Sequence, residues 1–239
     1  MKHKIINILC TRSLDQLLIE KASDHNLLIH TIAFISTQPI VNDDLKEKVL
    51  NLAKEPVNIV FTSTNAAATV ADMLGNRHPE WKIYCIAGAT KKLIAERYKK
   101  SSVYGLANNA DELADEIIND KLIYEIVFFS GDQRRDNLPL KLLKNGISVN
   151  EIIVYKTVLT PNATTGNYDG ILFFSPSAVE SFFINNQPDH GTIMFAIGKT
   201  TAHTIEQYCT NKVITSDVPA KEQLLELVIN HFQTINQKQ

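Results

Sequence analysis

The sequence alternates short runs of β-branched and aromatic residues with amphipathic segments almost from one end to the other. Residues 5–10, 58–62, 124–129 and 170–174 are such runs, and each is followed by a segment with helical periodicity. Alternation of this kind is typical of α/β layers, in which parallel strands are joined by right-handed helical crossovers. The sequence therefore predicts an α/β protein with parallel sheets, whose functional loops lie at the carboxyl ends of the strands.

The chain also resembles itself. Residues 60–67 (VFTSTNAA) align with residues 172–179 (LFFSPSAV), and further along, at nearly the same spacing, residues 87–90 align with residues 198–201. Each copy combines predicted strands, polar turns and predicted helices. Two copies of one arrangement indicate two related α/β lobes.

Two long extended stretches, 27–40 and 149–159, bracket the first copy. We interpret them as the two crossings between the lobes, which makes one lobe discontinuous. The predicted boundaries are 1–34 plus 160–239 for the discontinuous lobe, 38–155 for the inserted lobe, and about 30–40 and 150–160 for the linker strands. A cleft between two α/β lobes is a common binding place for a small ligand.

Composition and charge argue against a membrane-spanning or nucleic-acid-binding protein. No apolar run approaches the roughly 20 residues that a spanning helix needs, and the net charge is −2 with no clustered basic patch. The apolar run 5–9 is too short for the core of a signal peptide. We therefore expect a cytoplasmic protein without membrane or nucleic-acid partners and, in the absence of an apolar stripe for dimerisation, a monomer.

The cysteines and histidines predict no metal centre. Cys10, Cys85 and Cys209 are far apart and form no C-x-x-C motif, and no two of the seven histidines are four residues apart. Cys10 and Cys85 fall in apolar predicted strands, where a free cysteine behaves as a small hydrophobic residue.

Polar turns follow several predicted strands and are expected to begin helices. They contain Thr62, Ser63 and Asn65; Ser130 and Gly131; Ser175 and Ser177; and Gly198, Thr200 and Thr201. Taken singly, such residues are helix N-caps. Taken together, they bring several helix N-termini to one edge of a sheet, where N–H groups bind carboxylates or phosphates. The pattern favours a polyanionic small ligand, and no P-loop, G-x-G-x-x-G or G-x-S-x-G motif indicates nucleotide binding or acyl transfer.

Two further features have alternative interpretations. Arg134 and Arg135 follow one of the polar turns, and they either bind a ligand carboxylate or form salt bridges with Asp132 or Asp136. Tyr155 lies in the second long extended stretch. Its phenol either faces a ligand as a proton or hydrogen-bond donor, or it is an ordinary aromatic strand residue.

Six motifs, taken in order, resemble the uroporphyrinogen-III synthase family. They are FTSTNA (61–66), SG (130–131) with RDNL (135–138), VYKT (154–157), FSPSA (174–178), IGKTTA (197–202), and Pro219 followed by LL (224–225). Each motif is short, and the resemblance is carried by the ordered set, which covers essentially the whole chain.

The resemblance implies two related three-layer, flavodoxin-like α/β lobes with parallel sheets, one of them discontinuous, joined by a two-stranded β linker. It also implies the substrate hydroxymethylbilane, a linear tetrapyrrole held between the lobes by its acetate and propionate groups, largely through backbone amides. The expected reaction loses water to give an azafulvene cation and forms uroporphyrinogen III through a spiro pyrrolenine, with ring D inverted. No metal or organic cofactor is expected.

The resemblance also assigns roles to residues of this sequence. Tyr155 matches a tyrosine that assists departure of the substrate's hydroxyl, and Thr90 and Thr201 match threonines that face the substrate. The other expected substrate-binding residues are Thr62, Ser63, Asn65, Ser130, Gly131, Arg135, Ser175, Ser177, Gly198 and Thr200. No single acid or base is expected to be indispensable, because the substrate closes unaided to the uninverted isomer.

Two positions depart from the family pattern, since Ala87, followed by Gly88, stands where glycine is usual, and Phe174 replaces a common threonine.

The rival interpretations are a non-catalytic cytosolic binding protein for an anionic polycarboxylate, a flavodoxin-like signalling module, and an enzyme acting on another polycarboxylate. The predicted strand ends are rich in Ser, Thr and Gly rather than Asp, which disfavours the signalling module. A transient contact with hydroxymethylbilane synthase, which makes the substrate, is left open.

Overall fold

The computed structural model of the protein describes residues 5–134 and 136–236. The chain divides into two compact units. One unit, which we call the inserted unit, runs from Thr37 to Thr157, and the other, the discontinuous unit, combines the residues up to Ser36 with those from Val158 onward. The prediction from sequence set the corresponding lobes at 38–155 and at 1–34 plus 160–239.

Strands and helices alternate through both units. In chain order the elements are β1 (Ile6–Cys10), α1 (Gln16–Asp24), β2 (Leu27–Thr31), β3 (Ile35–Pro39), α2 (Asp43–Leu52), β4 (Asn58–Phe61), α3 (Thr64–Leu74), β5 (Lys82–Ile86), α4 (Ala89–Arg97), β6 (Ser102–Ala107), α5 (Ala110–Asn119), β7 (Glu125–Gly131), α6 (Asn137–Lys144), β8 (Ser148–Leu159), β9 (Gly170–Phe173), α7 (Pro176–Asn185), β10 (Ile193–Ala196), α8 (Lys199–Tyr208), β11 (Val213–Thr215) and α9 (Lys221–Asn236).

Each unit is built on one sheet. The discontinuous unit has the strand order β11-β10-β9-β1-β2, with every neighbouring pair parallel. Read from β2, this is the flavodoxin-like order 2-1-3-4-5. The other sheet has the order β3-β8-β7-β4-β5-β6, in which the five strands from β8 to β6 are parallel neighbours. The predicted α/β architecture with parallel sheets is confirmed.

The two sheets explain the internal repeat. The order β8-β7-β4-β5-β6 in the inserted unit matches the order β2-β1-β9-β10-β11 in the discontinuous unit. The two sheets differ in the order in which the chain passes through the equivalent strands. The pair β7-β8 comes last along the chain in the inserted unit, whereas the pair β1-β2 comes first in the discontinuous unit. The repeated segments β4-α3-β5-α4 and β9-α7-β10-α8 therefore occupy equivalent positions, and so do β7 and β1.

Helices cover both faces of the sheet in the inserted unit. Successive residues of a strand point to opposite faces, and Ile59 and Phe61 of β4 pack in a cluster with residues of α2, α3 and α4. Val60 between them packs with residues of α5 and α6. All three side chains are fully buried, and burial of one such side chain contributes about 1.5–3 kcal/mol to folding.

The discontinuous unit has the same three layers. Ile8 and Cys10 of β1 pack with α1 and α9 on one face, while Leu9 packs with α7 and α8 on the other. Burial raises the pKa of the Cys10 thiol to about 12, so this thiol stays protonated at neutral pH. Its surroundings fit the structural role predicted for it.

The first long extended stretch was predicted wrongly in detail. The stretch 27–40 is not one extended segment, because β2 ends at Thr31 and β3 begins at Ile35. Between them Phe34 turns into the core, where it is fully buried and its ring centroid lies 5.3 Å from that of Phe182. At this point the free energy gained by burying the Phe34 ring exceeds the free energy that continuing the strand would give.

Candidate functional site

The predicted site residues that the structure describes lie at the carboxyl edges of the two sheets. In each sheet the strand order reverses between two central strands, β7 and β4 in the inserted unit and β1 and β9 in the discontinuous unit. The helices that follow these strands lie on opposite faces of the sheet, as α3 and α6 illustrate. Parallel α/β sheets bind ligands at this reversal, outside the carboxyl ends of the strands.

Tyr155 occupies the reversal of the inserted unit. Its side chain on β8 is half-buried, and its hydroxyl lies 3.1 Å from the Ser63 Oγ, just beyond β4. The ring covers Gly131, the last residue of β7: a Cβ built on Gly131 would lie 2.4 Å from the Tyr155 Cζ. Only a residue without a side chain allows the ring to lie in this position.

The loop after β7 fixes this arrangement through the backbone. The Asp132 N–H donates to the Tyr155 carbonyl (3.1 Å), and the Thr157 N–H donates to Asp132 Oδ1 (2.9 Å). The backbone at and beyond Tyr155 is thus tied to the strand end that carries Gly131. We expect the phenol to have little freedom to move away from Ser63.

Ser130 does not cap a helix, contrary to the prediction. It lies inside β7, is buried, and its hydroxyl donates to Glu151 Oε1 at 2.7 Å. Glu151 also accepts hydrogen bonds from the guanidinium of Arg134, which forms a second ion pair with Asp136. The salt-bridge interpretation therefore holds for Arg134, whereas Arg135 lies outside the described residues.

Glu151 was missed by sequence reasoning. It is 21 residues from Ser130 along the chain, and only the pairing of β7 with β8 brings the two together. The Arg134 guanidinium, and secondarily the Ser130 hydroxyl, hold the pKa of the Glu151 carboxyl below its usual range. The group is therefore a structural anion near the site and is not available as a proton donor at neutral pH.

The Glu151 cluster predicts a pH-dependent contribution to stability. A carboxyl whose pKa is lowered by folding stabilises the folded state at pH values above its unfolded pKa of about 4.3, and this contribution is lost as the pH falls through the folded pKa. We expect Glu151→Gln to reduce the free energy of unfolding by about 1–2 kcal/mol at pH 7, and by progressively less below pH 4. Chemical denaturation at several pH values measures the difference.

Glu125→Gln is the matched control for this measurement. Glu125 is exposed on the same β7 strand, and its carboxylate forms no ion pair within the described chain. Its replacement should leave stability nearly unchanged at every pH. A Glu151→Gln deficit that stays constant between pH 7 and pH 3 would contradict the assignment of Glu151 as a paired carboxylate.

Two helix N-termini meet at the strand ends of the inserted unit, and one of them begins beside Tyr155. Ser63 is the N-cap of α3, as predicted, and its Oγ accepts from the Ala66 N–H at 3.5 Å. Thr62 immediately precedes it, and Asn65 is exposed in the first turn. The buried Thr90 lies in the first turn of α4, with its Oγ1 3.0 Å from that of Thr64. This hydroxyl pair joins the starts of the two helices.

The N-cap of α4 shows how the chain accommodates Ala87 at a position where the family usually has glycine. Gly88 is the cap residue and has a φ of +79°, a left-handed conformation that favours glycine. Ala87 lies before it and its N–H donates to the Ala107 carbonyl at 2.8 Å. The glycine that this cap requires is therefore present, at position 88.

The discontinuous unit presents an equivalent pair of helix N-termini. Ser175 caps α7 as predicted, with its Oγ accepting from the Ala178 N–H at 3.2 Å and lying 3.2 Å from the Ser177 Oγ. Gly198 is the N-cap of α8, so that Thr200 and Thr201 lie within its first turn and are not caps. Thr201 is buried and Thr200 is exposed.

Metal-binding and membrane-spanning features are not found in the described part of the chain. Residues 5–134 and 136–236 contain no group of three or more His, Cys, Asp or Glu side chains arranged to hold a metal ion. Over the same residues, every helix is too short or too polar to cross a membrane.

Comparison with solved structures supports the architecture. Uroporphyrinogen-III synthetase from Helicobacter pylori 26695 superposes with a TM-score of 0.65 at 17% sequence identity, over 95% of this chain and 99% of that one. A mutant uroporphyrinogen III synthase from the extremely thermophilic bacterium Thermus thermophilus gives a TM-score of 0.57 at 14% identity, over 98% of this chain and 100% of that one. Identities this low support a shared fold.

Comparisons of sequence give the family. No curated protein sequence matches the chain. The family model described as uroporphyrinogen-III synthase HemD, however, matches residues 17–226. Because this match extends over most of the sequence and through both units, the chain belongs to the uroporphyrinogen-III synthase family.

Proposed function

We propose that this protein closes hydroxymethylbilane to uroporphyrinogen III and that Tyr155 assists the step in which the hydroxyl leaves. Membership of the family makes the protein a cyclising hydro-lyase of haem biosynthesis. The observation that carries the role of the site is the Tyr155 phenol, held over Gly131 and 3.1 Å from the Ser63 hydroxyl at the strand-order reversal.

The carboxylates of the substrate require hydrogen-bond donors rather than a net positive charge on the protein. The first-turn N–H groups of α3, α4, α7 and α8 have no partner within their own helices, and the helix dipole adds a partial positive charge. Such termini bind carboxylates. We assign substrate binding to the residues at these termini and at the end of β7: Thr62, Ser63, Asn65, Thr90, Ser130, Gly131, Ser175, Ser177, Gly198, Thr200 and Thr201, with Arg135 included from the family pattern.

The contacts divide this set into residues that hold neighbouring groups in place and residues that can contact the substrate directly. Ser130 and Thr90 already bond to Glu151 and Thr64, so they support the positions of neighbouring groups. The exposed Asn65 and Thr200 have side chains that reach solvent and can donate to a ligand. Direct contact with substrate is therefore expected to come from backbone N–H groups and from these exposed side chains.

The chemistry needs a proton at the departing hydroxyl and stabilisation of the cation that forms. In the proposed step the Tyr155 O–H donates towards the leaving hydroxyl, which departs as water and leaves an azafulvene cation. The substituted carbon of ring D then attacks, and the resulting spiro pyrrolenine fragments and recloses with ring D inverted. Ring D loses one proton on reclosure, which balances the proton given by the Tyr155 phenol. The protein mainly fixes the conformation from which this attack occurs.

The organisation of the protein is part of the proposal. We propose a monomer that works in the cytoplasm, with the lobes at 38–155 and at 1–34 plus 160–239, and a transient contact with hydroxymethylbilane synthase for transfer of the unstable substrate. The net charge of −2 and the lack of long apolar runs support a monomer that works in the cytoplasm. The division of contacts at Ser36 and Thr157 supports the lobes.

A coupled assay tests the proposed function. Hydroxymethylbilane is generated in situ by a deaminase, the products are oxidised, and the uroporphyrin isomers are separated by chromatography. We expect mainly isomer III in the presence of the protein and isomer I in its absence. Isomer I in both samples, with the protein shown to be folded by circular dichroism, would reject the function in favour of polycarboxylate binding without catalysis.

A further inference from the structure

Arg12 stands at the strand-order reversal of the discontinuous unit. It follows β1 by two residues and is the only arginine in that unit's sequence. Thr11, which precedes it, is buried, and both its N–H and its Oγ1 donate to the Leu172 carbonyl, at 3.1 and 2.9 Å. The backbone from which the Arg12 side chain extends is therefore fixed to the neighbouring strand β9.

The guanidinium lies beside the start of α7. Its Cζ is 5.6 Å from the centroid of the Phe174 ring, and Phe174 immediately precedes the N-cap Ser175. A cation–π contact of this kind holds the guanidinium against the face of the ring and leaves the N–H donors at the edge of the guanidinium available to another partner. Arg12 itself is exposed, so a ligand can reach its side chain.

No carboxylate neutralises Arg12 within the described chain. The acidic residue nearest to it in sequence, Asp15, instead accepts from the Lys221 Nζ at 3.2 Å. The equivalent loop of the inserted unit, after β7, is arranged differently, because its Arg134 is paired with both Glu151 and Asp136. Among the described residues of these two topologically equivalent loops, Arg134 is paired with carboxylates, whereas Arg12 is exposed.

We infer that Arg12 binds a carboxylate of the substrate through its guanidinium N–H groups, next to the N-terminus of α7. This inference rests on the proposed function and extends it to a residue outside the predicted site. An exposed arginine that is oriented by an aromatic ring, and has no acidic partner within the described chain, is arranged for bidentate binding of a carboxylate. The acetate and propionate arms of a linear tetrapyrrole supply such groups.

The test compares Arg12→Gln with Arg77→Gln in the coupled isomer assay. Arg77 is also an exposed arginine, but it follows the carboxyl end of α3 and so lies towards the opposite edge of its sheet. We expect Arg12→Gln to raise KM for hydroxymethylbilane about tenfold while kcat changes by less than about threefold, the loss of one charged carboxylate contact. Arg77→Gln should leave both constants unchanged.

Two further measurements separate binding from a structural effect. The KM of the wild-type protein should rise with salt more steeply than that of Arg12→Gln, because the variant has lost a screened charge interaction. Arg12→Lys keeps the charge but not the planar fork, and should give an intermediate KM.

The outcomes are distinguishable. Isomer III from the wild type, with an unchanged KM in Arg12→Gln or with equal effects of Arg12→Gln and Arg77→Gln, would overturn the role of Arg12 and leave the proposed function intact. No isomer III from the folded wild type would overturn both.

Discussion

Gly131→Ala is expected to lower kcat/KM for isomer III formation about 100-fold while the protein stays folded. The added Cβ would meet the Tyr155 ring at 2.4 to 2.7 Å, far inside van der Waals contact, so that the ring must move. A displacement of about 1 Å at a reacting group is enough for an effect of about 100-fold. Steric strain should also reduce the free energy of unfolding by about 1–3 kcal/mol.

The control for this variant is Gly191→Ala. A Cβ at Gly191 would meet nothing within 4 Å, and no left-handed backbone conformation requires glycine there. Activity and thermal midpoint should both be preserved. If Gly131→Ala retains wild-type activity with a lowered thermal midpoint, the position of the Tyr155 ring is unimportant for the reaction.

Tyr155→Phe is expected to reduce kcat about 10- to 100-fold without abolishing formation of isomer III. The change removes the hydroxyl that lies 3.1 Å from the Ser63 Oγ and keeps the ring that covers Gly131. Positioned proton donors contribute about 100- to 10,000-fold to catalysis. The effect expected here lies at or below the lower end of that range, because the substrate is already reactive and imposing its conformation accounts for much of the rate.

Single-turnover kinetics and isomer analysis check this expectation. The ratio of isomer III to isomer I should fall, since slower enzymatic closure competes less well with unaided closure. Ser63→Ala serves as a companion variant: it removes the hydrogen-bond partner of Tyr155 and the N-cap of α3, which costs about 1 kcal/mol of stability. Complete loss of isomer III in a folded Tyr155→Phe protein would contradict a catalytic contribution distributed over several groups.

These two variants separate the placement of the phenol from its chemistry. Gly131→Ala keeps the hydroxyl and moves it, whereas Tyr155→Phe keeps the ring and removes the hydroxyl. A larger effect of the first change would indicate that the ring also shapes the surface on which the substrate lies. A larger effect of the second would indicate that proton donation dominates.

Much of the fold could be predicted because the relevant signals are local. The run of residues 58–62 predicts the strand β4 at Asn58–Phe61. Ser63 and Ser175 cap their helices through bonds to N–H groups three residues further on. The starts of α4 and α8 are harder to predict, because the caps Gly88 and Gly198 carry no side-chain signal.

The site was only partly predictable. Tyr155 and Ser63 were both expected to be site residues, but their contact spans 92 residues of chain. Glu151 and Arg12 were not among the expected residues, because their surroundings come from other strands. Arg12 contacts Phe174 only because β1 and β9 are neighbours in the sheet.

The sequence by itself determined most of the succession of strands and helices, the two related lobes, and the serine caps of α3 and α7, because periodicity and side-chain capping depend on residues a few positions apart. Only the tertiary structure decided which side chains meet at the strand ends. Between β7 and β8 the register shifts, so that Ser130 pairs with Ile153 but Gly131 pairs with Tyr155. Because one step of register reverses the face to which a side chain points, this bulge brings the phenol, and not Val154, over the glycine.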